Sequence, residues 1–274
     1  MVGPILLAIL LISGIAFSAS SAMYVSFVRH RRNDTGFWAS VLALIGYVAL
    51  TTGGVLRTIF AGRVPIGSFF DSLIVVVWLL ATLYFIVELK WKLRVGGAFV
   101  FPLISVGALY ASFRPVGVGG APPILQSPWV GVHVGLMFLG YCAFALAALA
   151  GFLYLVQEQE LKRKRLTFMH FSLPSLMRLE RLSWVLVGWG FPLLSVGIAV
   201  GAIWSKEVWG SYVPADPKML WAILTWIFYA AAILGRLAWG WRGRRAAILA
   251  VVGFFAVIFN YLGISLLTHG VHSF

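Results

Sequence analysis

Phe69–Val87 reads F-F-D-S-L-I-V-V-V-W-L-L-A-T-L-Y-F-I-V, with Asp71 as its one charged residue. A run of about 20 apolar residues is what a helix needs to cross the roughly 30 Å hydrocarbon core of a bilayer. The rest of the chain is built the same way. Of its 274 residues 61% are hydrophobic and only 11% are charged, and the mean hydropathy is +0.97. A soluble domain carries roughly a quarter charged residues, so this chain has too little polar surface to cover a water-exposed globule. Apolar blocks of membrane-crossing length recur at Pro4–Val28, Phe37–Phe60, Val95–Phe113, Trp129–Val156, Leu182–Trp204, Met219–Ala238 and Ala246–Leu267. Within lipid every backbone N–H and C=O must find its partner inside the protein, which leaves helices or a closed barrel. Barrel strands are shorter and alternate polar with apolar residues. The expected fold is therefore an all-α polytopic membrane protein of eight transmembrane helices, a single integral membrane domain over residues 1–274 in contact with membrane lipid.

Charge placement orients these helices. Arg29, Arg31 and Arg32, then Lys90, Lys92 and Arg94, then Lys162–Arg165 with Arg178 and Arg181, and finally Arg236, Arg242, Arg244 and Arg245 fall in alternate loops. Of the 21 Lys and Arg only Arg57, Arg63, Arg114, Lys206 and Lys218 fall in the other set. Loops rich in Lys and Arg stay in the cytoplasm, so both termini are expected on the outer side. Phe17–Ala22 (F-S-A-S-S-A) looks like a cleavage site, but a secretory signal carries its positive charge before the apolar core. Here that charge comes after it, and the segment reads as a retained helix. The net charge of +13 lies between apolar blocks rather than along a basic stripe, which excludes nucleic acid as the partner. Cys142, alone in an apolar block, supplies no disulfide framework or Cys-x-x-Cys pair. Leu166–Arg181, with Leu176, Leu179 and Leu182 at helical spacing, is expected as a helix lying in the membrane interface.

One polar and aromatic island stands out, W-G-S-Y-V-P-A-D-P-K-M-L-W at Trp209–Trp221. The helix alternation puts it on the outer side, together with His133 near the start of the fifth helix and His272 beyond the eighth. Two neutral imidazoles can hold a haem iron from opposite faces. Trp209, Tyr212 and Trp221 could supply surface for the macrocycle, and Arg57, Arg63, Arg114 and Lys218 lie on the same side for its carboxylates. The bland reading stays beside this one: a histidine at a helix end is commonly an interfacial polar residue, and Trp and Tyr at membrane boundaries form belts. His269 competes with His272 as a ligand, while His30 and His170 accompany cytoplasmic basic clusters. Asp71 at the outer start of the third helix is either a functional or paired carboxylate or a favourable charge at a helix N-terminus.

G-R-V-P-I-G-S-F-F-D-S at Gly62–Ser72, L-Q-S-P-W-V-G-V-H-V at Leu125–Val134, G-F-P-L-L-S-V-G at Gly190–Gly197, W-R-G-R-R-A-A-I-L-A at Trp241–Ala250 and G-V-H-S-F at Gly270–Phe274 carry a family resemblance. The chain resembles the CcsA/ResC family of cytochrome c assembly proteins, among the tryptophan-rich haem-handling membrane proteins. The resemblance implies haem b held at the outer face, with His133 and His272 as the iron ligands. Trp209, Tyr212, Asp216, Lys218 and Trp221 would form the haem-edge loop. It also implies a membrane partner subunit in a thioether-forming assembly and an apocytochrome c that brings its own thiols, in the inner (plasma) membrane of a prokaryote or an equivalent energy-transducing membrane. The family's loop is W-G-S-Y-W-S-W-D-P-K-E-T-W. Val213 and Ala215 stand where it has tryptophan, Pro214, Met219 and Leu220 also depart, and Leu234 stands where the family has a histidine in Y-L-H-T-R. These departures keep a second reading open, a non-catalytic HemX-like relative affecting tetrapyrrole synthesis or an accessory subunit of another membrane complex.

Overall fold

The computed structural model describes residues 2–30, 32–61, 69–113, 127–164, 173–212 and 216–263. They form eight helices long and apolar enough to cross a membrane. These are α1 (Val2–His30), α2 (Asn33–Ala61), α3 (Phe69–Trp91), α4 (Gly97–Ser112, entered through a 3-10 turn at Arg94–Gly96), α5 (Pro128–Lys162), α6 (Leu176–Trp209), α7 (Pro217–Trp239) and α8 (Arg244–Ile258, continued by a π turn at Phe259–Gly263). Many large apolar side chains, Ile59, Leu103, Phe255 and Leu237 among them, point outward from the helices, as lipid-facing residues do.

Two of the expected boundaries are revised. The helix foreseen as lying in the interface is instead the first turns of α6 from Leu176 onward, with Ser175 as its N-cap; residues 165–172 lie outside the described set. The reason is packing: Leu179 and Leu182 are fully buried in the bundle, so the leucine stripe is satisfied by protein rather than by the membrane surface. α5 likewise outruns its apolar block, which ends at Val156, by six polar-rich residues (Gln157–Lys162). Its last turns hold a Glu158–Lys162 pair at 2.8 Å, the i,i+4 arrangement that supports a helix in water.

The contacts gather into two compact units, α1–α4 and α5–α8. In the first, α1 packs along both α2 and α4, and α3 lies on α4 and α2. Serine side chains stitch α1 to the α2 backbone, Ser13 Oγ donating to Gly46 O at 2.9 Å and Ser20 Oγ to Ala39 O at 2.8 Å. Glu88 on α3 is buried and accepts from Tyr24 OH on α1 and Ser40 Oγ on α2, both at 2.6 Å, with Arg94 Nε at 3.6 Å. A buried carboxylate needs this saturation of its oxygens. Tyr24 is also stacked on Phe101 of α4, ring centres 5.2 Å apart. At the other end of this unit Arg57 of α2 donates through Nε to Asp71 Oδ1 at 2.7 Å, with Nη2 2.6 Å from the same oxygen and both side chains buried. Asp71 is thus a paired carboxylate in the first turn of α3.

In the second unit α5 packs along α6 and α8, while α7 rests on α6 and α8. The approach of α5 to its neighbours is at backbone distance. A Cβ added at Gly140 would lie 3.3 Å from Gly190 O, and one at Gly151 would lie 2.9 Å from Ala247 O. Lipid tails give helices no hydrophobic reason to associate, so close packing at small residues and interhelical hydrogen bonds must hold them. α7 is attached by such bonds, Trp226 Nε1 to Ser195 Oγ at 2.8 Å and Trp221 Nε1 to Ala256 O at 2.9 Å. At its far end Arg236 pairs with Glu180 at 3.0 Å and lies over the Trp184 ring.

Removing one partner of a buried ion pair leaves the other charge stranded and costs about 3–5 kcal/mol, whereas replacing both by apolar groups is often neutral. Arg57→Met should therefore lower the melting temperature in detergent sharply, and Arg57→Met with Asp71→Leu should recover most of the loss. A single variant melting like the parent would contradict this burial.

Candidate functional site

His133 lies in the second turn of α5, which opens at Pro128 after Ser127. Its Nδ1 is 2.7 Å from the carbonyl oxygen of Gly197 on α6. A carbonyl only accepts, so Nδ1 carries the hydrogen, and in the neutral ring the lone pair is then on Nε2. That is the arrangement in which a second partner fixes the tautomer and orientation of a metal-binding imidazole. The histidine is half-buried because α6 has been cut away beneath it. A Cβ at Gly201 would lie 2.6 Å from both Cε1 and Nδ1 of His133, and one at Gly197 would lie 2.8 Å from Met137 Sδ. His133 and Met137, one turn apart on α5, thus enter two notches one turn apart on α6. On the same α6 face, Trp204 lies against the imidazole with ring centres 6.4 Å apart and planes at 24°. Trp209 meets Trp204 edge-on at 5.0 Å.

Trp209 is also the last residue of α6 and the first of the aromatic island. Gly210 ends the helix in the left-handed region at φ 71°, its N–H bonded to Lys206 O, as a glycine after a helix commonly does. The turn is tightened by Ser205 Oγ donating to Ser211 O at 2.7 Å and Lys206 Nζ donating to Gly210 O at 2.8 Å. Lys206 Nζ also lies 5.3 Å from the centre of the exposed Tyr212 ring. At the other side of the island Asp216 caps α7. Its Oδ1 accepts from the backbone N–H of Lys218 at 2.9 Å and of Met219 at 3.2 Å, with Pro217 at the first helical position. Trp221, besides its hydrogen bond to α8, packs on Phe259 at 4.6 Å. The framing residues of the island therefore also build the joints between α6, α7 and α8.

The unit of α5–α8 brings His133, Trp209, Tyr212, Asp216, Lys218 and Trp221 to its loop end. Arg57 belongs to the other unit, where it is engaged with Asp71. Arg63, Arg114, residues 213–215, His269 and His272 lie outside the described residues. Leu234 is on an exposed face of α7. Among the described residues no three His, Cys, Asp or Glu converge as a metal site. Sequence reasoning missed Gly197, Gly201 and Trp204. The glycine pair was visible as a G-x-x-x-G spacing, a pattern of close helix approach, but nothing local said that a histidine fills it.

The family model described as Cytochrome C assembly protein matches residues 66–272. The chain is similar to the cytochrome c biogenesis protein CcsA of Gloeobacter violaceus, 30% identical with 96% of this chain and 95% of that protein covered. It is also similar to that of Porphyra purpurea, 32% identical with 86% of each covered, and to that of Trieres chinensis, 30% identical with 86% and 88% covered.

Two outcomes are expected from this geometry. Gly201→Ala forces a methyl group against the imidazole, an overpacking that typically costs about 1–3 kcal/mol. Gly188→Ala, with nothing within 4 Å, should not; thermal melts of the two variants in one detergent compare them directly. Asp216→Ala should cost about 1 kcal/mol through the lost N-cap and raise hydrogen exchange at the Lys218 and Met219 amides, while Asp216→Asn retains most of the protection.

Proposed function

Because the chain belongs to the cytochrome c assembly protein family, its work lies in cytochrome c maturation, and within that role we propose that it holds haem b as a carried substrate for attachment to apocytochrome c. The observation that supports this reading is His133, whose Nδ1–H bond to Gly197 O assigns the lone pair to Nε2. The Gly201 backbone and the Trp204 ring restrict that imidazole, as the neighbours of a metal-binding histidine do. In this reading His133 and His272 are the two iron ligands. Trp209, Tyr212 and Trp221 give flat surface at the haem edge. The Trp221 indole N–H already goes to Ala256 O, so its ring face is what it offers. Lys218 supplies a cation for the propionates, and Asp216 acts by fixing where α7 begins and hence where Lys218 starts. Haem supplies the macrocycle that becomes joined to the apocytochrome, and apocytochrome c supplies the thiols, in keeping with the lone buried Cys142 here. A membrane partner subunit completes the assembly, in an energy-transducing membrane with the loop end of α5–α8 on its outer side.

The exposed Leu234 at the position of the family's helix histidine favours a second reading, a non-catalytic relative of the HemX kind. A deletion strain that still makes its full complement of covalent cytochrome c supports that reading over the first.

Haem-loaded protein purified from the expressing membrane should show a Soret band that weakens in His133→Ala and in His272→Ala. Imidazole supplied to His133→Gly should restore part of it. Full haem occupancy in the double alanine variant would sink the ligand assignment.

A further inference from the structure

One hydrogen bond aims a ring but does not fix its plane. The bond from His133 Nδ1 to Gly197 O tolerates tens of degrees of misalignment, so the imidazole can still rock about its Cβ–Cγ bond unless its faces are held. The Gly201 backbone holds one part of the ring, with room for nothing larger than hydrogen between them. Trp204 is the aromatic wall that packs on it, its indole buried and nearly parallel to the imidazole at 24°. Gly197, Gly201 and Trp204 fall on successive turns of α6, so one helix face supplies the acceptor, the notch and the wall. The wall is in turn touched by Trp209, edge-on at 5.0 Å. Trp209 is bound into the turn that opens the island through the Gly210–Lys206 and Ser205–Ser211 hydrogen bonds. A continuous row of three rings therefore runs from the head of the loop to the histidine.

We propose that Trp204 is a positioning residue that sets the plane of His133 and couples it to the loop through Trp209. The proposal rests on the reading of His133 as a ligand, and it makes the loop an actor on that ligand. Whatever displaces Trp209 displaces the wall, and the wall sets the freedom of the imidazole. Edge-to-face and offset contacts between aromatic rings carry the directional preference that this requires.

The test uses the full chain in detergent, with and without haem. Without haem, the rate of carbethoxylation of His133 by diethyl pyrocarbonate is followed by mass spectrometry. Trp204→Ala should raise it several-fold, Trp204→Phe should bring it back near the parent, and Trp189→Ala, an exposed indole on the same helix, should leave it alone. Trp209→Ala should raise it by less than Trp204→Ala does. With haem, Trp204→Ala should broaden and shift the low-spin ferric paramagnetic resonance while Trp204→Phe restores it. Should Trp204→Ala fail to fold, Trp204→Leu, which has bulk but no ring, takes its place with the same expectations. An unchanged labelling rate in the folded variant overturns the proposal, and so does an equal rise in Trp189→Ala. A parent protein that takes up no haem overturns the functional reading instead, and the labelling rates still decide the part played by Trp204.

Discussion

Helices that associate in lipid gain nothing by hiding apolar surface from water, so contact has to come from backbone proximity and from hydrogen bonds. The seam between α5 and α6 meets that constraint along its length. Ser183 Oγ donates to Ala147 O at 3.0 Å near one end, Gly140 lies against the α6 backbone in the middle, and His133 bonds Gly197 O toward the other end. The histidine is thus a continuation of the packing seam and not an addition to it. The same close approach that holds the two helices also fixes which imidazole nitrogen carries the lone pair.

The eight helices were legible because lipid leaves almost no alternative for long apolar runs. What hydropathy cannot report is where a helix ends once it leaves lipid. α5 continues through Gln157–Lys162 on a charge pair, and α6 starts at Leu176 on a leucine stripe that finds protein contacts. The candidate site was half legible for a similar reason. His133, Trp209, Tyr212, Asp216 and Lys218 could be picked out because polar and aromatic residues are exceptions in such a chain. Gly197 and Gly201 could not be given a role, because their partner is some 64 positions earlier and glycine carries no chemistry of its own to announce it.

The island Trp209–Trp221 divides its residues between two tasks. Its first turn and its last are committed to the fold, through the Gly210 helix end, the Asp216 cap and the Trp221 bond to α8. These joints hold α6, α7 and α8 at their loop ends. Trp209 serves both tasks at once, closing the helix on one side and touching Trp204 on the other. Neither Trp209–Tyr212 nor Asp216–Trp221 can be repositioned without moving the helix ends to which they are bonded.

The notch at Gly201 has a consequence for how this chain can diverge. A side chain at 201 and an imidazole at 133 compete for the same space, so a change at either position carries a packing cost while the other keeps its residue. A lineage that discards the histidine would inherit a trough between α5 and α6, and cavities of that kind are costly in a close-packed interior. Filling it would take a bulkier residue at 133 or a Cβ at 201. His133 and Gly201 are therefore tied to one another by packing, whatever chemistry the imidazole performs.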